Sequence, residues 1–136
     1  MALNISVIAP DKIVYQNVVD EVIIPSKTGL LGILESHAPL LTALDTAGIL
    51  RIRNGNDWVP IVVLGGFAEV EEDKVTVLAT AAELGDKIDI SEAKLEMEEA
   101  LKKFNKAENV KEKNEAAQVL KRTKVRLEAA LNQENK

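Results

Sequence analysis

One histidine, no cysteine and a scatter of carboxylates are all that this 136-residue chain offers to acid–base, nucleophilic or metal chemistry. A Ser–His–Asp arrangement would have to use His37. His37 stands between Ser36 and Pro39 in a bent apolar segment with no carboxylate paired to it in sequence, so it reads as a packing or interface residue. A single histidine and the absence of cysteine exclude a His-rich or thiolate metal site, a thiol nucleophile and a disulfide framework, and fit a reducing compartment. Gly29 and Gly32 do not form a phosphate loop, because no Gly-Lys-Ser/Thr follows and no helix begins there. Gly65-Gly66 reads as a strand irregularity. The carboxylates fall in turns and along one helix, the usual solvated pattern. No catalytic residue, metal or cofactor is expected; the chain should work by contact.

The elements that would carry such contacts follow from two hydrophobic periods. From Leu3 to about Lys87 the period is two, the mark of half-buried strands. Leu3, Ile5 and Val7 alternate with Asn4 and Ser6; Ile13 to Tyr15 begins a second strand; Val18 to Ile24 is a third, ended by Pro25. Thr28 to Ile52 is tightly bent: Gly29 and Gly32 relax the backbone, His37-Ala38-Pro39 forces an extended corner, and Asp45-Thr46-Ala47-Gly48 makes a turn. Leu40 to Leu44 and Ile49 to Ile52 look like buried strands on either side of that turn. Asn54-Gly55-Asn56-Asp57 is a hairpin signal that returns the chain through Trp58 to Leu64. Phe67 to Val70, the polar turn Glu71 to Lys74 and the alternation from Val75 to Ala79 complete the series. About eight to ten short strands mean a β-sandwich or barrel.

At Asp89 the period becomes 3.6. Asp89 is an N-cap candidate and Glu92, three residues on, completes a capping box. Ala93, Met97, Ala100, Leu101, Phe104 and Ala107 then share one helical face. After the polar stretch Glu108 to Lys111, a second helix aligns Ala116, Leu120, Thr123, Leu127 and Leu131, and Asn132 to Lys136 reads as a frayed tail. The organisation predicted is mainly β plus α: a β-sandwich over 1–87, then an antiparallel two-helix hairpin over 88–136.

Composition narrows the partners. Aromatics make up 3% of residues and the net charge is −5, which argues against single-stranded and duplex nucleic acid alike. MALNISVIAPDKIVYQ shows neither a signal-peptide run nor an Arg-rich amphipathic pattern, and nothing approaches the ~20 apolar residues of a membrane span. Charge is segregated along the hairpin: Asp89 to Glu99 holds five acidic residues against one lysine, and Lys111 to Arg126 six basic against two acidic. Each block complements its helix dipole and the two would lie near one another, a solvated structural face. Alternatively, the basic helix leaves the hairpin and docks on an acidic partner.

VIAPDKIVY at the start, EVIIPSKTGLLGILESHAPLLTAL from Glu21 to Leu44 and GGFAEVEEDKVTVLA from Gly65 to Ala79 resemble the epsilon subunit of the F-type ATP synthase. The likeness covers nearly the whole chain, and HAPLLTALD brings it closest to cyanobacterial and plastid forms. The resemblance implies a non-catalytic rotor part that couples proton flow to ATP synthesis, bound to the gamma subunit and resting on the membrane-embedded c-ring. Carried over by motif, Ser26, Lys27, Thr28, Gly29, Leu30 and Leu31 form the c-ring turn, and His37, Pro39 and Leu40 face gamma. The hairpin is implied to inhibit ATP hydrolysis, with Lys121, Arg122, Lys124 and Arg126 meeting an acidic segment of beta in the alpha/beta catalytic assembly. This favours the docking alternative. The location implied is the stromal or cytoplasmic face of a membrane, thylakoid ahead of bacterial plasma membrane.

Some bacterial members of that family bind ATP through an I-D-x-x-R-A signature and basic residues of the second helix. Here the signature reads Ile88-Asp89-Ile90-Ser91-Glu92-Ala93, with Glu92 where arginine belongs. Asp89, Arg122 and Arg126 remain as candidates, but a carboxylate at 92 repels a triphosphate, so weak or absent ATP binding is expected. Two other readings stand beside the rotor subunit: a free β-sandwich adaptor that recruits partners through its hairpin, and a nucleotide-sensing module, which Glu92 argues against.

Overall fold

The computed structural model describes residues 2–134, with side chains through Asn132. Ten strands come first: β1 (Leu3–Ala9), β2 (Lys12–Val19), β3 (Glu21–Ser26), β4 (Gly29–Ile33), β5 (Leu40–Ala43), β6 (Gly48–Asn54), β7 (Asp57–Val63), β8 (Gly66–Glu71), β9 (Lys74–Ala79) and β10 (Ala82–Leu84). A single 3-10 turn, Gly85–Lys87, leads to α1 (Ile90–Lys106) and α2 (Val110–Glu134). The strands form two five-stranded sheets, ordered β2-β1-β9-β8-β5 and β10-β7-β6-β3-β4. The β-sandwich followed by two helices is therefore as expected. All pairings are antiparallel except β1 with β9, which closes the first sheet across most of the strand region.

Alternation builds the core. Leu3, Ile5 and Val7 of β1 and Val75 and Val77 of β9 point inward from the first sheet; Leu50, Ile52, Ile61 and Val63 meet them from the second, all fully buried. At roughly 1.5–3 kcal/mol for each large apolar side chain taken out of water, this cluster is the main favourable term of the fold. Gly55, at φ 65, supplies the positive dihedral of the β6–β7 hairpin.

Several boundaries differ from expectation. Val18 to Ile24 is not one strand: the chain leaves the first sheet after Val19, bends at Asp20 and enters the second at Glu21. Pro25 lies inside β3, paired with Leu30, near the strand end where its carbonyl accepts from the Asp45 N–H at 2.9 Å. Gly32 is a strand residue of β4, paired with Ile23, and no bend. Of the expected buried strand Leu40 to Leu44, Leu40–Ala43 is an edge strand and only partly buried, with Leu41 71% exposed, while Leu44 beyond it lies in the core. Edge position decides this, since β5 has a neighbour on one side only.

α2 lies across the outer face of the second sheet, over β6, β7 and the 3-10 turn. Ile49 and Val62, paired across β6 and β7, turn outward there and pack with Ile88, Ala93, Ala129 and Ala130 in a second, smaller core. The three alanine methyls contribute only about 2–3 kcal/mol together, to which Ile90, Val125 and Leu127, packed against the same cluster, add. Asp89 caps α1, accepting from the Glu92 N–H at 3.1 Å. The reciprocal half of the expected capping box is replaced: the Glu92 carboxylate lies 3.8 Å from Arg126. α2 has its own cap, Asn109, which accepts from the Glu112 N–H at 2.8 Å. Ala93, Ala100, Leu120 and Thr123 are buried on the expected faces, but Leu101 is 43% exposed, because α1 packs mainly on α2 and that face is narrow. Helix replaces the expected tail through Glu134; Asn135 and Lys136 lie outside the described residues.

Candidate interaction surfaces

The turn between β3 and β4 is built around Ser26, which is buried although polar. Its hydroxyl donates to the Gly29 carbonyl at 2.6 Å and accepts from the Thr28 N–H at 3.3 Å, while the Lys27 N–H reaches the Ala43 carbonyl at 3.2 Å. Gly29 adopts φ 133, open only to glycine. The tip so fixed presents Lys27, Thr28, Gly29 and Leu30 to solvent, with Leu30 70% exposed; Leu31 turns back onto the core. Ser26 is thus the anchor of the predicted turn and not part of its exposed surface.

The His37 corner is held from below. Ser36 takes φ 67 and donates its N–H to Asp73 Oδ1 at 2.6 Å; the His37 N–H reaches the Leu34 carbonyl at 3.2 Å. The imidazole Nδ1 lies 2.7 Å from the Ala38 carbonyl, a geometry in which Nδ1–H donates. No carboxylate orients the ring among the described residues, so nothing completes a triad. His37 and Pro39 are exposed and Leu40 rests partly on the core.

Toward the other end of the same sheet, where Ala43 adjoins the β3–β4 turn, the register assembles a surface that strand-by-strand reading misses. On the outer face of the first sheet Ile13, Ile8, Leu78, Phe67 and Ala43 stand in one cross-strand row. Ile13, Leu78 and Phe67 are 59%, 52% and 57% exposed. The helices cover the other sheet, leaving this row open. Its signal in the sequence was apolar residues at both alternating positions of β8 and β9, as in Phe67-Ala68 and Val77-Leu78.

The four predicted cations of α2 divide into two pairs. Lys121 Nζ lies 2.5 Å from Asp45 Oδ1 and 3.3 Å from Thr46 Oγ1. Burial alone would push the Asp45 carboxyl up, but the Lys121 hydrogen bond and charge, with the Thr46 N–H, hold it below the usual aspartate range. Arg126 makes a fork to Glu83 at 2.8 and 2.9 Å and reaches both Glu96 oxygens at 3.0 and 3.1 Å. The Glu83 hydrogen bond is the largest cause holding the guanidinium proton more firmly than usual. Arg122 and Lys124 are exposed and make no ion pair among the described residues. On the opposite flank Arg51 meets Glu128 at 3.4 Å.

The nucleotide candidates are only partly brought together. Arg122 and Arg126 line a shallow cleft of about 330 Å³ with Lys12, Val62 and Glu83, which does not include Asp89. Asp89 serves as the α1 cap, and Arg126 already holds carboxylates where a phosphate would sit. Among the described residues no cluster of three or more His, Asp or Glu is arranged to hold a metal, and no helix is long and apolar enough to cross a membrane.

With this geometry in place, comparison with known proteins is specific. Residues 2–85 match the family model of the ATP synthase delta/epsilon chain β-sandwich domain. The epsilon chain of the Cyanophora paradoxa cyanelle ATP synthase is 52% identical over 132 residues, covering 97% of this chain and 99% of that one. The epsilon chain of Trichodesmium erythraeum is 53% identical over 133 residues, 96% of each chain. Among solved structures, a chain of the Euglena gracilis mitochondrial ATP synthase OSCP/F1/c-ring assembly superposes with a TM-score of 0.80 at 25% identity, over 96% of this chain and 81% of that one.

Proposed function

Because the chain belongs to the ATP synthase epsilon-chain family, we propose that it is a non-catalytic central-stalk subunit of a proton-translocating ATP synthase, with the sandwich as its binding part and the hairpin as its regulator. The observation that carries this reading is the separation of faces. One sheet offers the open apolar row through Leu78 and Phe67 near one end of β8 and β9, with the His37 corner at the other, while the second sheet is occupied by the chain's own helices. In this reading the apolar row, His37, Pro39 and Leu40 take the gamma subunit, a long helical partner whose apolar side suits a flat sheet face. The exposed tip from Lys27 to Leu30, with Leu31 behind it and Ser26 as its anchor, meets the c-ring. Arg122 and Lys124, free of internal partners among the described residues, make the first contact with the acidic segment of the beta subunit, joined by Lys121 and Arg126. In this reading the assembly is a peripheral complex on the stromal or cytoplasmic face of a membrane, thylakoid ahead of bacterial plasma membrane.

Truncation after Lys87 tests the division of labour. The buried residues of the main core all lie within 3–79, so the shortened chain keeps them and loses cover over Ile49, Val62 and Leu64 of the second cluster. Gamma binding should survive and inhibition of ATP hydrolysis should disappear. Loss of gamma binding from a folded 1–87 fragment would refute the assignment of faces. Failure of the full chain to co-purify with a gamma-like coiled coil would favour the free adaptor.

A further inference from the structure

At Gly85 the α2 backbone comes too close to the sandwich to leave room for a side chain. A Cβ built there would stand 2.8 Å from the Ala129 carbonyl oxygen, 3.0 Å from Pro60 Cγ and 3.1 Å from the Pro60 carbonyl oxygen. Gly85 has no positive φ, so its backbone conformation is open to any residue. What requires glycine is the proximity of the helix. One turn earlier on α2, Arg126 binds Glu83 of β10, two residues before Gly85, and Glu96 of α1. A single guanidinium therefore ties β10, α1 and α2 together beside Gly85. Lys121 with Asp45, and Glu128 with Arg51, fix the same helix on either side. Beyond this seat α2 leaves the sandwich and packs on α1 alone, with Val110 and Val119 75% and 37% exposed.

We propose that Gly85 and Arg126 form a latch that holds the hairpin on the second sheet, and that its state decides which α2 cations a partner can reach. The proposal rests on the reading of the hairpin as a regulator. With the latch closed, Arg122 and Lys124 face solvent while Lys121 and Arg126 are occupied internally. An acidic partner segment thus engages in two steps, first on Arg122 and Lys124, then on Lys121 and Arg126 as their carboxylates are exchanged for the partner's. Gly85 acts through shape: a single methyl there lifts the Ala129 turn from its seat and removes no charge.

The cysteine-free chain permits a direct test. Cysteines placed at exposed Asn56 and Lys113 carry spin or fluorescent labels, and the distance between sandwich and hairpin is measured in the full chain. Gly85→Ala should raise the ratio of released to seated hairpins about tenfold, with amide exchange in the main core unchanged. Arg126→Gln should shift the ratio the same way, and molar salt should add nothing further at that site. Unchanged distances in a folded Gly85→Ala chain would overturn the latch; should that variant not fold, unchanged distances in Arg126→Gln would do so. A released hairpin whose assembled ATPase is inhibited as before would leave the latch standing and remove the regulatory reading instead.

Discussion

Ser36 and Asp73 are joined by a 2.6 Å hydrogen bond across 37 positions of sequence, and both hold left-handed backbone, at φ 67 and φ 62. Asp73 also receives the Asn4 N–H on its own carbonyl at 2.8 Å, so one turn residue ties β1, the β8–β9 turn and the His37 corner together. Asp73→Ala should cost about 1.5–3 kcal/mol, the range for a hydrogen bond to a charged group, and loosen the corner. Asp73→Asn, which keeps an acceptor and tolerates left-handed φ, should recover most of that loss. Urea unfolding of the pair checks the stability, and gamma affinity checks the corner; equal losses in both variants would show that the bond is not what holds it.

Gly66 has no room for a side chain. At φ 112, a Cβ would fall 2.0 Å from the Leu78 carbonyl oxygen, a backbone atom that cannot move aside. Gly66→Ala should lose more than about 3 kcal/mol, strain and steric exclusion adding. Thermal melting beside Gly32→Ala, where a Cβ meets nothing within 4 Å, gives the contrast.

The apolar row makes binding and stability separable. Phe67→Glu and Leu78→Glu alter side chains that are already more than half exposed, so stability should change by no more than about 0.5 kcal/mol. Affinity for gamma should fall by at least about tenfold, since a charge would be forced into a desolvated patch. Titration calorimetry against purified gamma reads this directly, and wild-type affinity would place the interface elsewhere.

Asp45 gives the fold an acid-sensitive contact. Its carboxyl titrates below the unfolded value because Lys121 and the Thr46 N–H outweigh its burial. The stabilisation is therefore complete above the ordinary aspartate range and lost as pH falls through the lowered value. Both side chains are partly exposed, at 35% for Asp45 and 40% for Lys121, so Asp45→Asn should cost under about 1 kcal/mol at neutral pH. It should also flatten the acid limb of a stability-versus-pH curve. A curve parallel to that of the wild type would contradict the ion pair.

ATP should find no prepared site. Glu83 and Glu96 occupy Arg126, Glu92 stands 3.8 Å away, and Asp89 is spent on capping α1. Millimolar ATP should leave the amide signals of Ile88 and Arg126 unmoved in nuclear magnetic resonance spectra. Saturable shifts there would show that nucleotide can displace the internal carboxylates.

Much of this protein could be read directly from its residues. Strict alternation in Leu3-Asn4-Ile5-Ser6-Val7 and 3.6-residue spacing from Ala93 onward reflect backbone geometry, which is local, so the strands and helices appeared in order. Local chemistry likewise named the Asp89 cap and the Asn-Gly hairpin. Pairing was not local. Only the register placed Phe67 beside Leu78 and Ile8 and turned separate outward residues into one surface, and only sheet order made Leu40 to Ala43 an edge. Lys121 and Arg126 show the limit most clearly: as sequence they are members of one basic run, equal to Arg122 and Lys124. Their partners Asp45 and Glu83 lie 76 and 43 positions away, and Coulomb interaction over a few ångströms depends on where the chain returns, which the tertiary structure alone decides.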